Sequence, residues 1–274
     1  VPGHVGRCEK SKGGIFVIRG GQVSSIVLLL VLSAAIVYRI RTTKKEQLPQ
    51  IRPIAGLEAI DEAIGRATEL GRPIHYSLGY GSLTADTAPQ TLAGVAVLAD
   101  VARRVSAQKT ELLVTVMQAD VFPLAEETVR QAYVETGSIE SYRADFVQFI
   151  SPEQFAYAIG AMGLMQRKQV AANLMIGPFM AESLLLSEVG SALGAIQVGG
   201  TATTHQIPFF VAACDYTLLG DELFAAGAYL SEDPVGLGSI VGQDVGKAIA
   251  VVLIALGALA STAGSDFLME LLKR

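Results

Sequence analysis

Two long uncharged stretches, one near each end of this 274-residue chain, limit every fold available to what lies between them. Between Arg19 and Arg39 no residue is charged, and the centre reads Ser25-Ile26-Val27-Leu28-Leu29-Leu30-Val31-Leu32. About nineteen residues at ~1.5 Å rise each nearly cross a ~30 Å hydrocarbon core. Valine, isoleucine and leucine dominate the stretch, and at about −0.3 to −0.6 kcal/mol each they favour insertion. Ser33-Ala34-Ala35 resembles a signal-peptide cleavage site, but Arg39, Arg41, Lys44 and Lys45 follow at once, as in a stop-transfer flank. The expectation is a tail over 1–19, a transmembrane helix over 20–40 and a basic linker over 41–53. The second stretch runs from Ala248 to Ser265 and is richer in Ala, Gly and Ser. Its length and its place after a complete domain favour a span over a buried core helix.

Small residues recur on one face of that second segment. Gly238, Gly242, Gly246 and Ala250 fall every four residues, and Gly257, Ser261 and Gly264 continue close to the same face. Each interior glycine costs a helix about 1 kcal/mol, whereas small residues at i, i+4 let two helices approach closely in lipid. A glycine-rich hinge opening at Pro234 and Gly236 is the plainer alternative. The stripe therefore predicts a glycine-rich helix over 234–265 that packs against another helix, with a tail over 266–274. Membrane lipid, a second copy of the chain or other membrane proteins are the partners it implies.

Composition agrees. Charged residues make up 17% and hydrophobic ones 51%, against a charged share of roughly 25% in average soluble domains. A net charge of −5 without a basic stripe gives nucleic acid no footprint. Cys8 and Cys214 lie on opposite sides of the first hydrophobic segment and cannot pair within one chain if it spans. The central domain then holds a lone thiol, which suits a reducing compartment.

The residues between the two segments, 54–233, read as one α/β domain. Leu57, Ile60, Ile64 and Ala67 make the apolar stripe of an amphipathic helix over Ile54–Leu70 that stops at Gly71. Short apolar runs then alternate with helical stretches: Ile74–Leu78, Leu112–Met117, Phe146–Ile150, Ala171–Ile176, Ala195–Val198 and Phe209–Ala213. Continuously apolar strands separated by helices predict a mainly parallel sheet covered on both faces. Six units favour an open, doubly wound, Rossmann-like sheet over a closed barrel, which needs eight.

Ligands of such sheets gather beyond the carboxyl ends of the strands. The polar residues expected there are Ser82, Asp120, Glu153, Thr201, His205 and Asp215, a candidate ligand-binding or catalytic cluster. Gly79-Tyr80-Gly81 resembles half of a dinucleotide fingerprint and lacks its third glycine. Gly199-Gly200-Thr201 could cradle an anion, but its loop holds no cation. Cys214, His205 and Asp215 have the residue types of a nucleophile, base and orienter, although a cysteine ending an apolar strand is more often a small core residue. Three histidines without ligand spacing and no CxxC pair point to no metal site, and no cofactor is indicated. No catalytic motif stands out, so the leading expectation is a non-enzymatic oligomeric scaffold or assembly protein. The alternative is a protein that binds, or an enzyme that acts on, a small metabolite at the strand ends.

Several stretches also carry a family resemblance. They are residues 52–63 and 71–75, Gln197-Val198-Gly199-Gly200-Thr201-Ala202, Cys214–Glu222, and Gly242-Gln243-Asp244-Val245-Gly246-Lys247. Together they resemble an uncharacterised prokaryotic membrane-protein family of the domain-of-unknown-function kind, over roughly residues 49–250. The resemblance implies one continuous unit and assigns no activity and no catalytic residue.

Topology remains for the flanking charges to decide. Arg39, Arg41, Lys44, Lys45, Arg52 and Lys247 flank the domain side, and Arg7, Lys10, Lys12, Arg19, Lys273 and Arg274 the far side, which is a tie. The dense block from Arg39 to Lys45 and the lone thiol favour a cytoplasmic domain at the cell membrane, with a native start downstream of Val1. A cysteine introduced by Thr43→Cys is therefore expected to resist a membrane-impermeant thiol reagent in intact cells and to react after lysis. Labelling before lysis would place the domain outside.

Overall fold

The computed structural model of the protein describes residues 23–43 and 54–262. Two compact units divide the chain: one joins the residues up to Arg39 with those from Val241 on, and the other is Ile40–Ile240.

In the larger unit, α2 (Ala55–Leu70) buries Ile60, Ala63, Ile64 and Ala67 and ends where Gly71, at φ 60°, turns its N–H back to the carbonyls of Ala67 and Thr68. There follow β1 (Ile74–Ser77), α3 (Ala88–Gln108), β2 (Leu112–Val116), α4 (Phe122–Glu135) and β3 (Val147–Phe149). The chain then crosses to the other side of the sheet through α5 (Gln154–Lys168), β4 (Ala172–Ile176), α6 (Glu182–Ala192), β5 (Ile196–Thr201), α7 (Ile207–Ala213) and β6 (Tyr216–Leu219), and closes with α8 (Asp221–Leu230). All strand pairs are parallel, in the order β3-β2-β1-β4-β5-β6. This is the doubly wound order, with its switch point between β1 and β4. The expected six-stranded α/β sheet is thus present.

One expected strand is not. Residues 209–213 lie in helix α7, and the sixth strand comes after it, at 216–219. Pro208 in the first turn explains the difference. Its missing N–H and preset φ suit a helix start, and five apolar residues cannot by themselves separate strand from helix.

Strand residues alternate between two cores. Ile74, Tyr76, Leu112, Val114, Leu174 and Val198 face α2, α3, α4 and α8. Leu113 and Met175 face α5, α6 and α7, with Tyr157, Met165, Phe179 and Phe210. That second face also carries a polar row. His75 pairs in register with Asn173, and Asn173 with Gln197, so their side chains lie side by side across three strands.

The row forms one directed chain of hydrogen bonds. Asn173 Nδ2 donates to Gln197 Oε1 (3.2 Å), which leaves Asn173 Oδ1 to accept from His75 Nδ1–H (2.8 Å). His75 Nε2 must then accept, and Thr115 Oγ1 donates to it (2.9 Å). Tyr157 donates to Thr115 Oγ1 (2.8 Å), and Ser77 donates to Tyr157 (2.6 Å). The Gly79 N–H donates to Ser77 Oγ at one end (3.2 Å), and Gln197 Nε2 donates to the Ala213 carbonyl at the other (3.0 Å). Buried polar groups are tolerated only when satisfied in this way. Gly190 of α6 lies over the row, where a Cβ would come within 2.6 Å of Gln197 Oε1.

The smaller unit contains most of α1 (Val23–Thr42) and of α9 (Pro234–Thr262). Among the described residues, one helix is long and apolar enough to cross a membrane, Pro234–Leu259, with a mean hydropathy of 1.7. A span at each end was expected. The N-terminal one, 20–40, corresponds to α1, which carries Arg39 and Arg41 in its last turn and does not join it. The two tails, 1–19 and 266–274, and most of the basic linker lie outside the described residues.

Neutral His75 is built into the fold. Burial holds its pKa down at about 4, against the raising effect of the Asn173 hydrogen bond. An unfolded histidine titrates near 6.5. The depressed value means that stability is complete above pH ~6.5 and declines as pH falls towards 4, because only the unfolded chain binds the proton. Chemical unfolding of the detergent-solubilised chain should show a loss of up to about 3 kcal/mol across that window, and His75→Gln should remove most of the pH dependence.

Candidate functional site

In a doubly wound sheet the first place to look for a ligand is the crevice between the loops leaving β1 and β4. Here the two loops fill it with each other. The Tyr80 N–H donates to the Pro178 carbonyl (3.1 Å). Gly79, at φ 65°, approaches so closely that a Cβ would lie 1.9 Å from Pro178 O, and a Cβ on Gly177, at φ 147°, would lie 2.5 Å from Leu78 O. Glycines that in a dinucleotide site would admit a pyrophosphate thus admit the opposite loop. Helix α3 does not point its N-terminus out of a short turn either, since it starts only at Ala88.

Around this closure the carboxyl ends of the strands are stitched together. Asp120, in the loop after β2, accepts from Ser82 Oγ (2.6 Å) and from the Leu83 N–H (2.8 Å). Partial burial works to raise its pKa, but these donors outweigh burial and hold the carboxyl below its ordinary value. Gln90 of α3 accepts from the Ala202 N–H after β5 (3.2 Å), and Ser183 of α6 donates to Gln206 (3.2 Å). Glu182, fully buried at the start of α6, accepts from the Met180 N–H (2.9 Å) and from Gln154 of α5. Burial, then the charges of Asp86 and Glu182, push the Tyr80 phenol above its ordinary pKa. The carboxylates Asp120 and Glu182 are thus acceptors for loop and cap donors.

Of the six candidate residues, the structure brings together Ser82 and Asp120. Glu153 is exposed and serves α5 through its backbone, accepting from the Tyr157 N–H (2.8 Å). Thr201 is buried at the end of β5, where its hydroxyl accepts from the Thr203 N–H (3.2 Å). His205 is exposed in the loop after β5. Asp215 precedes β6 instead of following it, a direct consequence of the misplaced sixth strand, so it sits at the amino end of the sheet. There it accepts from the Gln197 N–H (2.8 Å) and lines a groove of about 420 Å³ with Glu62, Arg66, Ser191 and Tyr216. Cys214 lies beside Gly199 and the Phe210 ring, and burial pushes its thiol up to about 12. It is a half-buried residue packed against the core, and the arrangement with His205 and Asp215 is not assembled as a nucleophilic triad. Among the described residues no group of three His, Cys, Asp or Glu side chains could hold a metal ion.

Tyr80, Gln90 and the buried Glu182 are not among the six candidates read from the sequence, in which Glu182 reads as a residue that caps a helix or faces solvent. Glu182 had a legible signal, an acidic residue in the first turn of a helix, but its burial comes only from the packing of α5 on α6. Of the stripe residues on α9, Gly242 and Gly246 meet α1 within the same unit: a Cβ would lie 2.8 Å from Ile36 Cα and 3.1 Å from Leu32 Cδ2, respectively. Gly238 is buried, Ala250 is exposed, and Gly257 has open space around a Cβ position. The side chain of Ser261 lies outside the described residues.

A parallel sheet in this order, closed at its switch point and followed by a long apolar helix, defines the class: a doubly wound α/β domain with a candidate membrane helix. The chain belongs to the family described as domain of unknown function (DUF6754), whose model matches residues 14–272. That match takes in α1 and α9 as well as the domain. No curated protein and no solved structure matches the chain.

The closure has a thermodynamic consequence. Gly79→Ala would place a methyl group against Pro178 O on a backbone that disfavours a side chain, and it should cost about 2–4 kcal/mol. The expected drop in melting temperature is roughly 5–15 °C. An unchanged melting curve would mean that the loops part freely.

Proposed function

We propose that the protein is a scaffold or assembly component anchored in the cell membrane by α9, with α1 packed along it in lipid and the α/β domain on the cytoplasmic side. The observation that carries this reading is the glycine-mediated contact between the two helices. Gly242 faces Ile36 and Gly246 faces Leu32, so one helix advances as the other returns and the pair is antiparallel. The covered positions of α1 (Leu32, Ile36, Ile40) and of α9 (Gly242, Gly246, Ile249, Leu253) repeat at helical spacing, while the remaining apolar side chains, such as Leu29, Leu30, Val251 and Ile254, are exposed. In water that arrangement would leave a large apolar surface wet. In lipid it is the ordinary result of small residues drawing helices together. In its most apolar window α9 is only 6% buried, which is unlike the core helix of a soluble domain.

The closed crevice supports a structural role over metabolite turnover, because the position where this fold usually binds ligands is taken up by its own loops. Self-association by way of the whole glycine stripe is less economical than the sequence suggests, since Gly242 and Gly246 are engaged within the chain.

The membrane fraction of cells expressing the full chain tests the reading. The protein should stay with membranes through an alkaline carbonate wash and need detergent for release. Gly242→Leu should remain membrane-bound but melt about 3–6 °C lower in detergent, as expected for one lost close helix contact. Release of the wild-type chain by carbonate would overturn the anchoring. A thermal shift with a nucleotide or common metabolite would overturn the structural role.

A further inference from the structure

The two helical layers of the α/β domain have opposite surfaces. The α2, α3, α4 and α8 layer is charged: Arg104 pairs with Asp61 and Asp100, Arg103 with Asp100, and Arg130 with Glu127. The α5, α6 and α7 layer is nearly uncharged. Residues 154–166 of α5 and all of α7 contain no charged side chain, and Glu182 of α6 is buried, which leaves Glu188 of α6 and, in the last turn of α5, Arg167 and the half-buried Lys168 as the layer's charges. On α5 the sheet-facing residues Tyr157, Ala158, Ala161, Leu164 and Met165 are buried. On its opposite side Phe155 and Ile159 are 63% and 68% exposed. A helix that is apolar all round belongs in an interior, yet this one is covered on one side. Its neighbours extend the surface: α6 packs against both α5 and α7, and Met180, Leu184, Phe209 and Val211 are exposed along it.

We propose that the α5–α6–α7 face is the contact through which two copies of this chain associate as a two-fold dimer. The inference rests on the scaffold reading for the shared membrane plane and deepens it by naming the surface and the partner. The charge pattern selects the partner. A two-fold contact sets a surface against itself, so any net charge on it meets its own sign. This layer is close to neutral and free of that cost, whereas α2 alone carries Glu58, Asp61, Glu62 and Glu69 against Arg66. A lipid surface is the poorer fit. Helices that lie on membranes carry Lys or Arg along their apolar face and often Trp; the cations of α5, Arg167 and Lys168, sit together in its last turn, Lys168 pairs with Glu111, and the chain has no Trp. The area is adequate too. Six large apolar side chains at on the order of 100 Å² each present about 600 Å², at the upper end of what a monomer leaves exposed in one patch and approaching the ~800 Å² per partner of a stable interface. Copies held in one bilayer share one orientation and a raised effective concentration, which favours a two-fold axis along the membrane normal.

Mass measurement by light scattering on the full chain in mild detergent tests the proposal, alongside carbonate washing of membranes. Wild type should run as two chains. Ile159→Asp and Phe155→Asp should each weaken association by about 30-fold or more, the effect of disrupting a hot-spot residue, while keeping the circular dichroism of the folded chain, because both side chains are exposed, and losing any rise of melting temperature with protein concentration. Ile159→Arg, of opposite charge, should act in the same direction. A wild-type chain that runs as one copy, or aspartate variants that stay dimeric, would overturn the proposal. So would variants that lose binding to neutral phosphatidylcholine vesicles while keeping their mass, since the face would then lie on lipid. A chain that leaves membranes on washing yet stays dimeric until Ile159 is replaced would refute the anchoring and uphold the face.

Discussion

The chain of hydrogen bonds through His75 is the interaction on which the domain depends. A parallel sheet buried on both faces offers no water to a polar side chain, so each such group must find a partner inside. Here Ser77, Thr115, Tyr157, His75, Asn173 and Gln197 solve the problem jointly, across β2, β1, β4 and β5. His75 and Asn173 bridge the switch point itself, where the two halves of a doubly wound fold meet. The direction of every bond follows from the next, so a second proton on the imidazole would turn its acceptor nitrogen against the Thr115 hydroxyl. The row specifies register as well as satisfying donors, because a one-residue slip would drive it into the opposite, mainly apolar core.

At its Ser77 end the row runs into the loop that closes the crevice. Ser77 accepts from the Gly79 N–H, and Gly79 in turn lies against Pro178. Buried network and closed switch point are therefore continuous, and the domain invests its glycines and its loop carboxylates in rigidity. Under the scaffold reading proposed above, surfaces and not pockets would carry the function. The asymmetry of the two helical layers then becomes the informative feature: one is laced with ion pairs, the other bare and apolar.

Glycine does related work in two settings. At Gly79 and Gly177 it lets two loops touch through backbone atoms. At Gly242 and Gly246 it lets two helices do the same. Close approach is the common element, and the surroundings differ. Within the domain the contact excludes water, whereas between α1 and α9 it organises helices whose other faces are apolar and outward.

Much of the architecture was legible in the sequence. Alternating apolar runs and amphipathic stretches placed five of the strands and all the helices between them, because burial on both faces leaves a local and continuous signal. Gly71 announced the end of α2, a spacing that reports local geometry directly, and the i, i+4 stripe contains the two glycines, Gly242 and Gly246, that meet α1. The sixth strand was misread because an apolar run of five residues suits either structure, and Pro208 decided it for helix. That error carried Asp215 to the wrong end of the sheet. The candidate site was legible only at Ser82 and Asp120, on neighbouring loops. For Glu182, Tyr80 and the partners of His75, what matters is which strands lie adjacent and which loops meet, and those depend on contacts about thirty to a hundred residues apart in sequence. By itself the sequence determined the periodicities, the apolar ends and the class of fold. Only the tertiary structure decided that the crevice is closed, that the glycine stripe is partly used within the chain, and that one helical face remains uncovered, because each is a property of surfaces brought together from distant segments.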